Sequence, residues 1–445
     1  MSSTVKSDTE ATDGRPSMLR QSVTGGIGAF VEQFDYNLYG VFAVFFASQF
    51  FPSDDPIVPL LQAFLVFALS FFLRPLGGAL IGAYVDKHGR RSGLLLTVGM
   101  MTVGSLIIGV VPDYETIGVL APVLLVVARS LQGMAAGGEV GTAMPFLAET
   151  APDRRRGLWS SAHGIATGLS LLLVAGLAAV LVNVLDDDQM TTWGWRIGFL
   201  LSAALGAVAL LIRRDVAETA AFDASAAAAT TSSPIRRLFR TEWRSLLRVI
   251  GIAVAPLTFF YIWMSYLPTF AEVFGGLSDT QTRPWHVVSL VLFTLVVPTA
   301  GLLSDRFGRR PLLMVFAVGC MVLVPFTVLL LSSNPSVATY AALQCLGSVF
   351  VAVEVGVKTA VVSEQFGRSV RGAGVGLGYS VAAALFGGTA SYTATWLTGD
   401  GHPHYLIAYL LLVGVIALTV YVRMPETRGI DLVALDRGPA PAPVN

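Results

Sequence analysis

The stretch GAYVDKHGRR at Gly82–Arg91 occurs again, in altered form, as GLLSDRFGRR at Gly301–Arg310, 219 positions later. A second pair of related stretches, AETAPDRRRG at Ala148–Gly157 and SEQFGRSVRG at Ser363–Gly372, is separated by 215 positions. Two motifs that recur in the same order at nearly the same spacing indicate an internal duplication. The sequence therefore predicts two structurally similar halves.

The composition predicts that most of the protein surface faces lipid rather than water. Hydrophobic residues make up 54% of the 445 residues, charged residues make up 13%, and the mean hydropathy is +0.68. A soluble domain carries about 25% charged residues, because its surface must be hydrated. In a membrane protein, two six-helix halves in parallel arrangement with a site between them are typical of secondary transporters.

Twelve segments are long and apolar enough to cross a bilayer, which takes about 20 helical residues. They lie at Val23–Phe50, Val58–Val85, Gly93–Val111, Gly118–Ala148, Leu158–Val182, Trp193–Ile212, Val249–Glu272, Trp285–Ser304, Pro311–Leu331, Val337–Val362, Gly372–Leu397 and Tyr405–Val422. The first motif pair falls between the second and third segments of each half, and the other pair between the fourth and fifth. The predicted fold class is an all-α polytopic membrane protein with twelve transmembrane helices in two pseudo-symmetric six-helix bundles.

The distribution of basic residues predicts the orientation of the chain in the membrane. If the N-terminus is cytoplasmic, 24 of the 29 lysines and arginines fall on the cytoplasmic side. Only Arg196 and Arg283 fall on the other side, and Arg74, Arg129 and Lys358 fall within spans. Cytoplasmic loops of membrane proteins are enriched in basic residues, so we predict a multi-pass protein of the cell membrane with both termini cytoplasmic.

These segments divide the chain into five parts. They are a cytoplasmic tail (1–22), a first bundle (23–212), a cytoplasmic linker (213–248), a second bundle (249–423) and a second cytoplasmic tail (424–445). The polar start differs from a cleavable signal peptide. The Ala/Thr/Ser-rich centre of the linker, Ala224–Ser233, predicts flexibility, and we expect both tails to be disordered.

Charged residues inside the first bundle are candidates for function, because burying a charge in a membrane is costly. Counting about 1.5 Å per helical residue places Glu32, Arg74 and Glu139 at similar depth, which makes Arg74 a partner for either carboxylate. Asp35 and Arg129 lie within one or two turns of each other in depth. An arginine stays charged when buried, whereas a neighbouring carboxylate can be neutralised by a proton. Asp35 beside Arg129 is therefore either a proton switch or a static ion pair.

The residue types in the repeated loops indicate a role for each position. Gly82 and Gly89 permit close packing and a tight turn. Asp86 can accept hydrogen bonds from helix-end amides or from an arginine, and Arg90 can hold the turn at the membrane face. The loops are either topology anchors or parts of a gate.

Several motifs resemble the major facilitator superfamily. The two loops look like its signature loop, and ARSLQGMAAGGEVGTA (Ala128–Ala143), VEQFDYNLYG (Val31–Gly40) and FFLRPLGG (Phe71–Gly78) resemble its metabolite:proton symporter branch. That branch includes α-ketoglutarate, citrate, shikimate and proline/betaine carriers. The resemblance covers about Val23 to Val422.

The resemblance implies roles for residues of this chain. It implies the major facilitator fold, a proton-coupling site at Asp35 and Arg129, and loops that close the cytoplasmic side in each transport cycle. Glu32, one helical turn from Asp35 on the same face, is the competing proton-coupling residue. The implied gating residues are Gly82, Asp86, Arg90, Asp305 and Arg309.

The solute is less constrained than the class of protein. Candidate substrate-binding residues are Arg74, Lys358, Tyr39, Trp263, Tyr266 and Tyr379. Glu354 and Lys358, spaced i and i+4, are either a self-neutralised pair or a specificity element. An organic acid such as a dicarboxylate is the favoured solute, and a zwitterion is the alternative. A proton-antiport exporter is disfavoured, because exporters of the superfamily typically carry a Gly/Pro motif in the fifth helix and Leu158–Val182 contains no proline.

The remaining predictions concern partners. We predict that the protein is not an enzyme and that its partners are a small-molecule substrate, protons and the lipid bilayer. We predict no cofactor, no metal and no nucleic acid, because no motif for them is found, and we expect a monomer.

Overall fold

A computed structural model describes residues 18–54, 57–214, 234–333, 335–399, 403–432 and 435. This part of the chain is almost entirely helical and contains no β-strand. The predicted flexible centre of the linker, Ala224–Ser233, and most of the predicted N-terminal tail lie outside the described residues.

Within the described residues, twelve long helical segments are distinguished. They are α1 (Met18–Phe50), α2 (Ile57–His88), α3 (Arg90–Val110), α4 (Leu120–Thr150), α5 (Arg156–Ser160 and Ala162–Val184), α6 (Trp195–Arg214), α7 (Trp243–Tyr261 and Leu267–Val273), α8 (Asp279–Phe307), α9 (Arg309–Leu331), α10 (Val337–Ser363), α11 (Arg371–Ala382 and Ala390–Gly399) and α12 (His404–Arg423). The two parts of α7 are joined by the π-helical turn Ile262–Tyr266. In the described residues, eleven of the segments are long and apolar enough to span a membrane.

The remaining long helix, α1, has 33 residues and is therefore long enough to span as well. Its middle carries Glu32, Gln33, Asp35 and Asn37, which lower its hydropathy. Glu32 and Asp35 are both buried. The Glu32 and Asp35 side chains thus face the protein interior, as expected when a spanning helix contributes to a functional site.

Each half has its own hydrophobic core, and the outer faces are apolar too. Phe46, Trp195 and Phe199 pack against one another in the first half with ring centroids 5.2–6.0 Å apart. On the outside, Leu65 and Phe72 are 71% and 61% exposed. Large exposed apolar side chains on long helices are favourable when the surrounding solvent is lipid.

The two halves meet along glycine-rich faces. A Cβ atom on Gly82 of α2 would lie 2.7 Å from the carbonyl oxygen of Gly372 in α11, and one on Gly301 of α8 would lie 2.6 Å from that of Gly157 in α5. No larger residue fits at this separation, so glycine is required for the close approach. The predicted role of Gly82 in close packing is confirmed.

The two repeated loops, with Asp86 and Asp305, lie at one end of the molecule. We call this end the latch end. Gly89 and Gly308, at matching positions of the two loops, have φ values of 96° and 104°. Glycine adopts this backbone conformation without the steric penalty that a side chain incurs. The predicted tight turn at Gly89 is thus confirmed.

The structure corrects part of the prediction for the second tail, whose residues 433, 434 and 436–445 lie outside the described residues. We expected this tail to be disordered, but Pro425–Leu432 lies across the latch end and contacts both halves. Glu426 accepts hydrogen bonds from the backbone amides of Arg309 and Arg310 at 2.8 and 2.9 Å. The prediction was wrong because the unpaired amides at the start of α9 attract a carboxylate.

Candidate substrate and proton site

A buried ion pair joins α1 and α2 of the first half, and α2 packs against α11 of the second half. The Arg74 guanidinium is 3.3 Å from the Glu32 carboxylate, and both side chains are almost fully buried. Arg74 Nε also donates to the Tyr36 hydroxyl at 3.2 Å. Of the two partners predicted for Arg74, the structure therefore selects Glu32.

The second half contributes a cation to the same region. Lys358 of α10 donates to the Tyr379 hydroxyl at 3.3 Å, and its ammonium lies 5.3 Å from the centre of the Tyr379 ring. Lys358 is also close enough to Glu32 to interact with it electrostatically. At this level Phe71 of the first half packs edge-on against Tyr261 of the second half, with ring centroids 6.0 Å apart.

Asp35 lies in a separate polar cluster, in the interior of the first half. Ser105 of α3 donates to its carboxylate, with oxygen–oxygen distances of 2.8 and 2.7 Å. Ser202 of α6 donates to it as well. Asp35 is 1% exposed, so hydroxyl groups supply its solvation in place of water.

Arg129 does not contact Asp35 directly. Its guanidinium donates to the Gln132 side-chain oxygen at 2.7 Å, and the Gln132 amide donates to the Ser105 hydroxyl at 3.0 Å. Ser105 in turn holds Asp35. The two groups that the sequence placed at similar depth are thus joined by a chain of hydrogen bonds, and within the described residues they form no direct ion pair.

Glu139 has a different partner from the one that the sequence suggested. Arg213, near the end of α6, reaches its carboxylate with nitrogen–oxygen distances of 2.6 and 3.1 Å, and both side chains are fully buried. Arg213 also donates to the backbone carbonyl of Thr24 at 3.0 Å. The sequence predicts that Arg213 lies in the cytoplasmic linker, but α6 extends to Arg214. The arginine turns inward because the buried Glu139 carboxylate requires a counter-charge.

Glu354 and Lys358, for which the sequence leaves open an i, i+4 pair or a specificity element, form no direct ion pair with each other in the structure. Glu354 is 2% exposed and makes neither a hydrogen bond nor an ion pair with any described residue. The charged group that acts on it is Lys358, one helical turn away. Lys358 instead turns toward Tyr379.

The remaining predicted substrate-binding residues lie in the packed interiors of the halves. The Tyr39 hydroxyl donates to the backbone carbonyl of Ala63 at 3.0 Å. Trp263 Nε1 donates to the backbone carbonyl of Leu343 at 3.3 Å. The Tyr266 hydroxyl lies 3.1 Å from the Thr398 hydroxyl. Arg74, Lys358 and Tyr379 lie near the boundary between the halves. Tyr39, Trp263 and Tyr266 lie away from it.

At the latch end, the first repeated loop is bound to the second half. Asp86 accepts from the backbone amides of Gly372 and Ala373, at the start of α11, at 3.0 and 2.9 Å. It also pairs with Arg90 at 2.9 Å. Glu149 joins Arg90 and Arg371, at 3.0 and 2.8 Å. Both kinds of partner predicted for Asp86, helix-end amides and an arginine, are confirmed.

The second loop repeats this arrangement in the opposite direction. Asp305 accepts from the amides of Gly157 and Leu158, at the start of α5, at 2.8 and 2.9 Å. It pairs with Arg309 at 2.8 Å. Glu364 joins Arg309 and Arg156, at 3.3 and 3.0 Å. Each half therefore binds a helix N-terminus of the other, and the latch end is closed.

Several members of these clusters were missed by the sequence-based reading. Glu149, Glu364, Arg156 and Arg371 lie in the second motif pair, for whose residues the sequence predicts no role in the site. Their recurrence at a constant offset of 215 was the available signal. Ser105, Ser202 and Gln132 carry no comparable signal, because single polar residues are common in spanning helices.

The described residues contain no group of three or more His, Cys, Asp or Glu side chains placed to hold a metal ion. The polar groups of the site are instead arranged as ion pairs and hydrogen-bonded chains within a helical bundle.

Two pseudo-symmetric helical bundles, with buried charges between them and a closed latch end, define a secondary membrane transporter. The model of the Major Facilitator Superfamily matches residues 25–282, and that of the sugar (and other) transporter family matches residues 213–438. The chain belongs to the major facilitator superfamily, whose members are transporters and not enzymes.

Similar curated proteins are bacterial carriers of small metabolites. The α-ketoglutarate permease of Escherichia coli (strain K12) is 36% identical over 422 residues, covering 94% of this chain and 96% of that protein. The proline/betaine transporter of the same organism is 31% identical, with 95% and 86% covered. The citrate-proton symporter of Klebsiella pneumoniae is 32% identical, with 88% of each covered.

Solved structures share the fold at lower sequence identity. The proton:xylose symporter XylE bound to 6-bromo-6-deoxy-D-glucose aligns with a TM-score of 0.78 at 19% identity, covering 94% of this chain and 98% of that one. The transporter FucP in the outward conformation aligns with a TM-score of 0.69 at 13% identity, with 92% and 99% covered.

Proposed function

We propose that the protein is a proton-coupled symporter that takes up a small organic acid, and that the favoured solute is a dicarboxylate. The observation that carries the proposal is the pair of cations from opposite halves, Arg74 and Lys358, near the boundary between the bundles. Lys358 forms no ion pair with a described residue, and its neighbour is the neutral hydroxyl of Tyr379. A buried cation of this kind is suited to bind an anion.

A dicarboxylate fits two separated cations better than a monocarboxylate does. One carboxylate would bind Lys358 together with the Tyr379 hydroxyl, and the other would bind Arg74, whose planar guanidinium matches a carboxylate. Arg74 already interacts with Glu32. A solute carboxylate would therefore either share the Arg74 guanidinium with Glu32 or displace Glu32 from it. The similarity to an α-ketoglutarate permease and a citrate-proton symporter supports this class of solute.

The proton site that we propose is Asp35, with Glu32 as the competing group. Asp35 is linked to Arg129 by Gln132 and Ser105. Protonation of Asp35 would remove the negative charge at one end of this series of hydrogen bonds, while Arg129 at the other end stays charged. A change in the protonation state of Asp35 would therefore alter the electrostatic surroundings of Arg129 during transport.

The latch would alternate between closed and open states. In the proposal, the latch end is cytoplasmic, as the basic residues indicate, and Gly82, Asp86, Arg90, Asp305 and Arg309 form the gate. Inward opening requires that Asp86 and Asp305 leave the amides of α11 and α5. Because both loops bind across the boundary, they must separate together.

A zwitterion such as proline or betaine is the second candidate. Glu32 is paired with Arg74, and the Arg74 guanidinium lies over the rings of Tyr36 and Phe71. A carboxylate and aromatic rings that already hold one cation suit a solute cation. The similarity to a proline/betaine transporter supports it.

Transport by proteoliposomes separates these candidates. Radiolabelled α-ketoglutarate, citrate, proline and betaine would be offered with and without an inward proton gradient. We expect gradient-dependent accumulation of α-ketoglutarate that a protonophore abolishes. Accumulation of betaine alone would select the zwitterion, and accumulation that survives the protonophore would exclude proton coupling.

The same vesicles identify the proton site. Asp35→Asn mimics the protonated carboxyl, so that gradient-driven accumulation should be lost while exchange of solute across the membrane is retained. Glu32→Gln, tested in parallel, is the matched comparison. Normal accumulation by Asp35→Asn would exclude Asp35.

A further inference from the structure

Two arginines with different surroundings share the ring of Tyr36. The Arg74 guanidinium lies over this ring at 4.2 Å from its centre, and the Arg129 guanidinium lies over it at 4.8 Å. Tyr36 is 5% exposed, Arg74 is 3% exposed and Arg129 is fully buried. Two cations near one ring repel each other, and the face of the aromatic ring attracts both.

The two arginines belong to the two sites described above. Arg74 is bound to Glu32, near the boundary between the halves. Arg129 is bound through Gln132 and Ser105 to Asp35. Tyr36 also accepts a hydrogen bond from Arg74 Nε at 3.2 Å, so its hydroxyl holds Arg74 while its ring faces both cations.

The charged surroundings of Asp35 on the neighbouring helices are accounted for. Arg74 of α2 is paired with Glu32 of α1 itself, and Glu139 of α4 is paired with Arg213 of α6. α3 contributes the hydroxyl of Ser105 and α6 that of Ser202, and α5 contributes His163, which is 4% exposed. Arg129 is therefore the cation that responds when Asp35 gains or loses its charge.

We propose that Tyr36 is a positioning residue that couples the proton site to the solute site; this inference rests on the proposed function. When Asp35 is ionised, its charge is shared with Arg129 through the hydrogen-bonded chain. When Asp35 is protonated, Arg129 depends more on the rings of Tyr36 and Tyr39, which lie 4.8 and 4.4 Å from its guanidinium. Of these two rings, that of Tyr36 also faces Arg74, so the repulsion between the two arginines changes there. The orientation of Arg74 toward Glu32 or toward a solute carboxylate thereby follows the protonation of Asp35.

Two substitutions at Tyr36 separate the contributions of its ring and its hydroxyl. Tyr36→Phe keeps the ring below both cations and removes the hydroxyl that holds Arg74. Tyr36→Leu removes both. Tyr340→Phe is the matched control, because Tyr340 is a fully buried tyrosine of the second half whose hydroxyl has no hydrogen-bond partner in the described structure.

The test uses full-length protein in proteoliposomes with labelled α-ketoglutarate, and it compares gradient-driven accumulation with exchange at equal pH. For Tyr36→Phe we expect accumulation to fall about tenfold, within the usual range for coupling between two sites, while exchange stays close to wild type. Tyr36→Leu should show the same split more strongly, and Tyr340→Phe should match wild type in both assays.

The possible results distinguish this inference from the proposed function. If wild-type protein fails to accumulate the solute with a proton gradient, the proposed function fails. If wild type accumulates but both Tyr36 variants do so equally well, the coupling role is wrong. A parallel fall of accumulation and exchange in Tyr36→Phe would also overturn it, since that result shows a packing role only.

Discussion

Glu139 and Glu354 occupy matching places in the two halves, but their surroundings differ. Each begins the sequence Glu-Val-Gly, and each precedes by ten residues the glutamate of the latch, Glu149 or Glu364. Glu139 is held by Arg213 at 2.6 Å and also accepts from the Thr97 hydroxyl. Glu354 has no such partner among the described residues.

The difference extends to the neighbouring positions. Where the second half has Lys358, the first half has Ala143. Near the end of α6, Arg213 reaches the backbone carbonyl of Thr24; near the end of α12, Tyr421 reaches that of Ile252 at 2.9 Å. The second half thus makes the same helix-to-helix contact with a neutral residue.

This comparison distinguishes a structural buried charge from a responsive one. A carboxylate that is saturated by an arginine and a hydroxyl is fixed, because any change of its charge leaves the arginine without compensation. A carboxylate without these bonds, one turn from a lysine, can gain or lose that lysine as a partner when a solute anion binds. We interpret the first half as the fixed one at this position and the second half as the responsive one.

The largest expected effect is that of Glu139→Gln. The substitution leaves Arg213 charged and buried, so the free energy of unfolding should fall by about 3–5 kcal/mol, as is typical when one partner of a buried ion pair is removed. The midpoint of thermal unfolding in detergent and the yield of monodisperse protein measure the effect.

A double variant is the control for this prediction. Glu139→Leu combined with Arg213→Met removes both charges and should recover most of the lost stability, because apolar replacement of an entire buried pair is often neutral. A stable Glu139→Gln protein would show that the pair is not structural, and the contrast between the halves would lose its basis.

The second effect concerns solute binding. Lys358→Ala removes the cation proposed to bind a solute carboxylate, so the apparent affinity for the transported dicarboxylate should fall about 10- to 100-fold, corresponding to about 1.5–3 kcal/mol for a hydrogen bond to a charged group. Concentration-dependent uptake by proteoliposomes measures it, and the amount of inserted protein should stay at the wild-type level.

The opposite result is equally informative. If Lys358 only balances Glu354, then Glu354→Gln combined with Lys358→Met should restore wild-type transport. Full rescue by this pair of changes would make Glu354 and Lys358 a structural pair like that of the first half.

The comparison also shows what the sequence can predict. Eleven of the twelve spans follow from length and hydropathy, and the long but more polar α1 is the twelfth. The fold of two bundles follows from the recurrence of the Gly82–Arg91 loop. The contacts of Asp86 follow from simple chemistry, since a carboxylate beside a helix start binds its free amides. These features depend on local sequence or on repetition.

The missed features depend on how six helices are rotated against one another. Depth along a helix can be counted from the sequence, and it correctly placed Glu32 near Arg74. It could not show that Glu139 faces Arg213, nor that Gln132 and Ser105 lie between Arg129 and Asp35. Lys358 lies in the correct register to pair with Glu354, yet its flexible side chain finds Tyr379.

The smallest expected effect is that of Glu354→Gln on stability. The substitution preserves the shape of the side chain and breaks no hydrogen bond or ion pair of the described structure. The loss of attraction to Lys358 is offset because a buried charge is removed from a poorly solvated place. We therefore expect the free energy of unfolding to change by no more than about 1 kcal/mol, less than the usual cost of a lost charged hydrogen bond. Thermal unfolding of Glu354→Gln and Glu139→Gln, in the same detergent and at the same pH, makes the comparison direct. A loss for Glu354→Gln as large as that for Glu139→Gln would mean that both carboxylates are fixed, and that the responsive charge of the second half must be sought elsewhere.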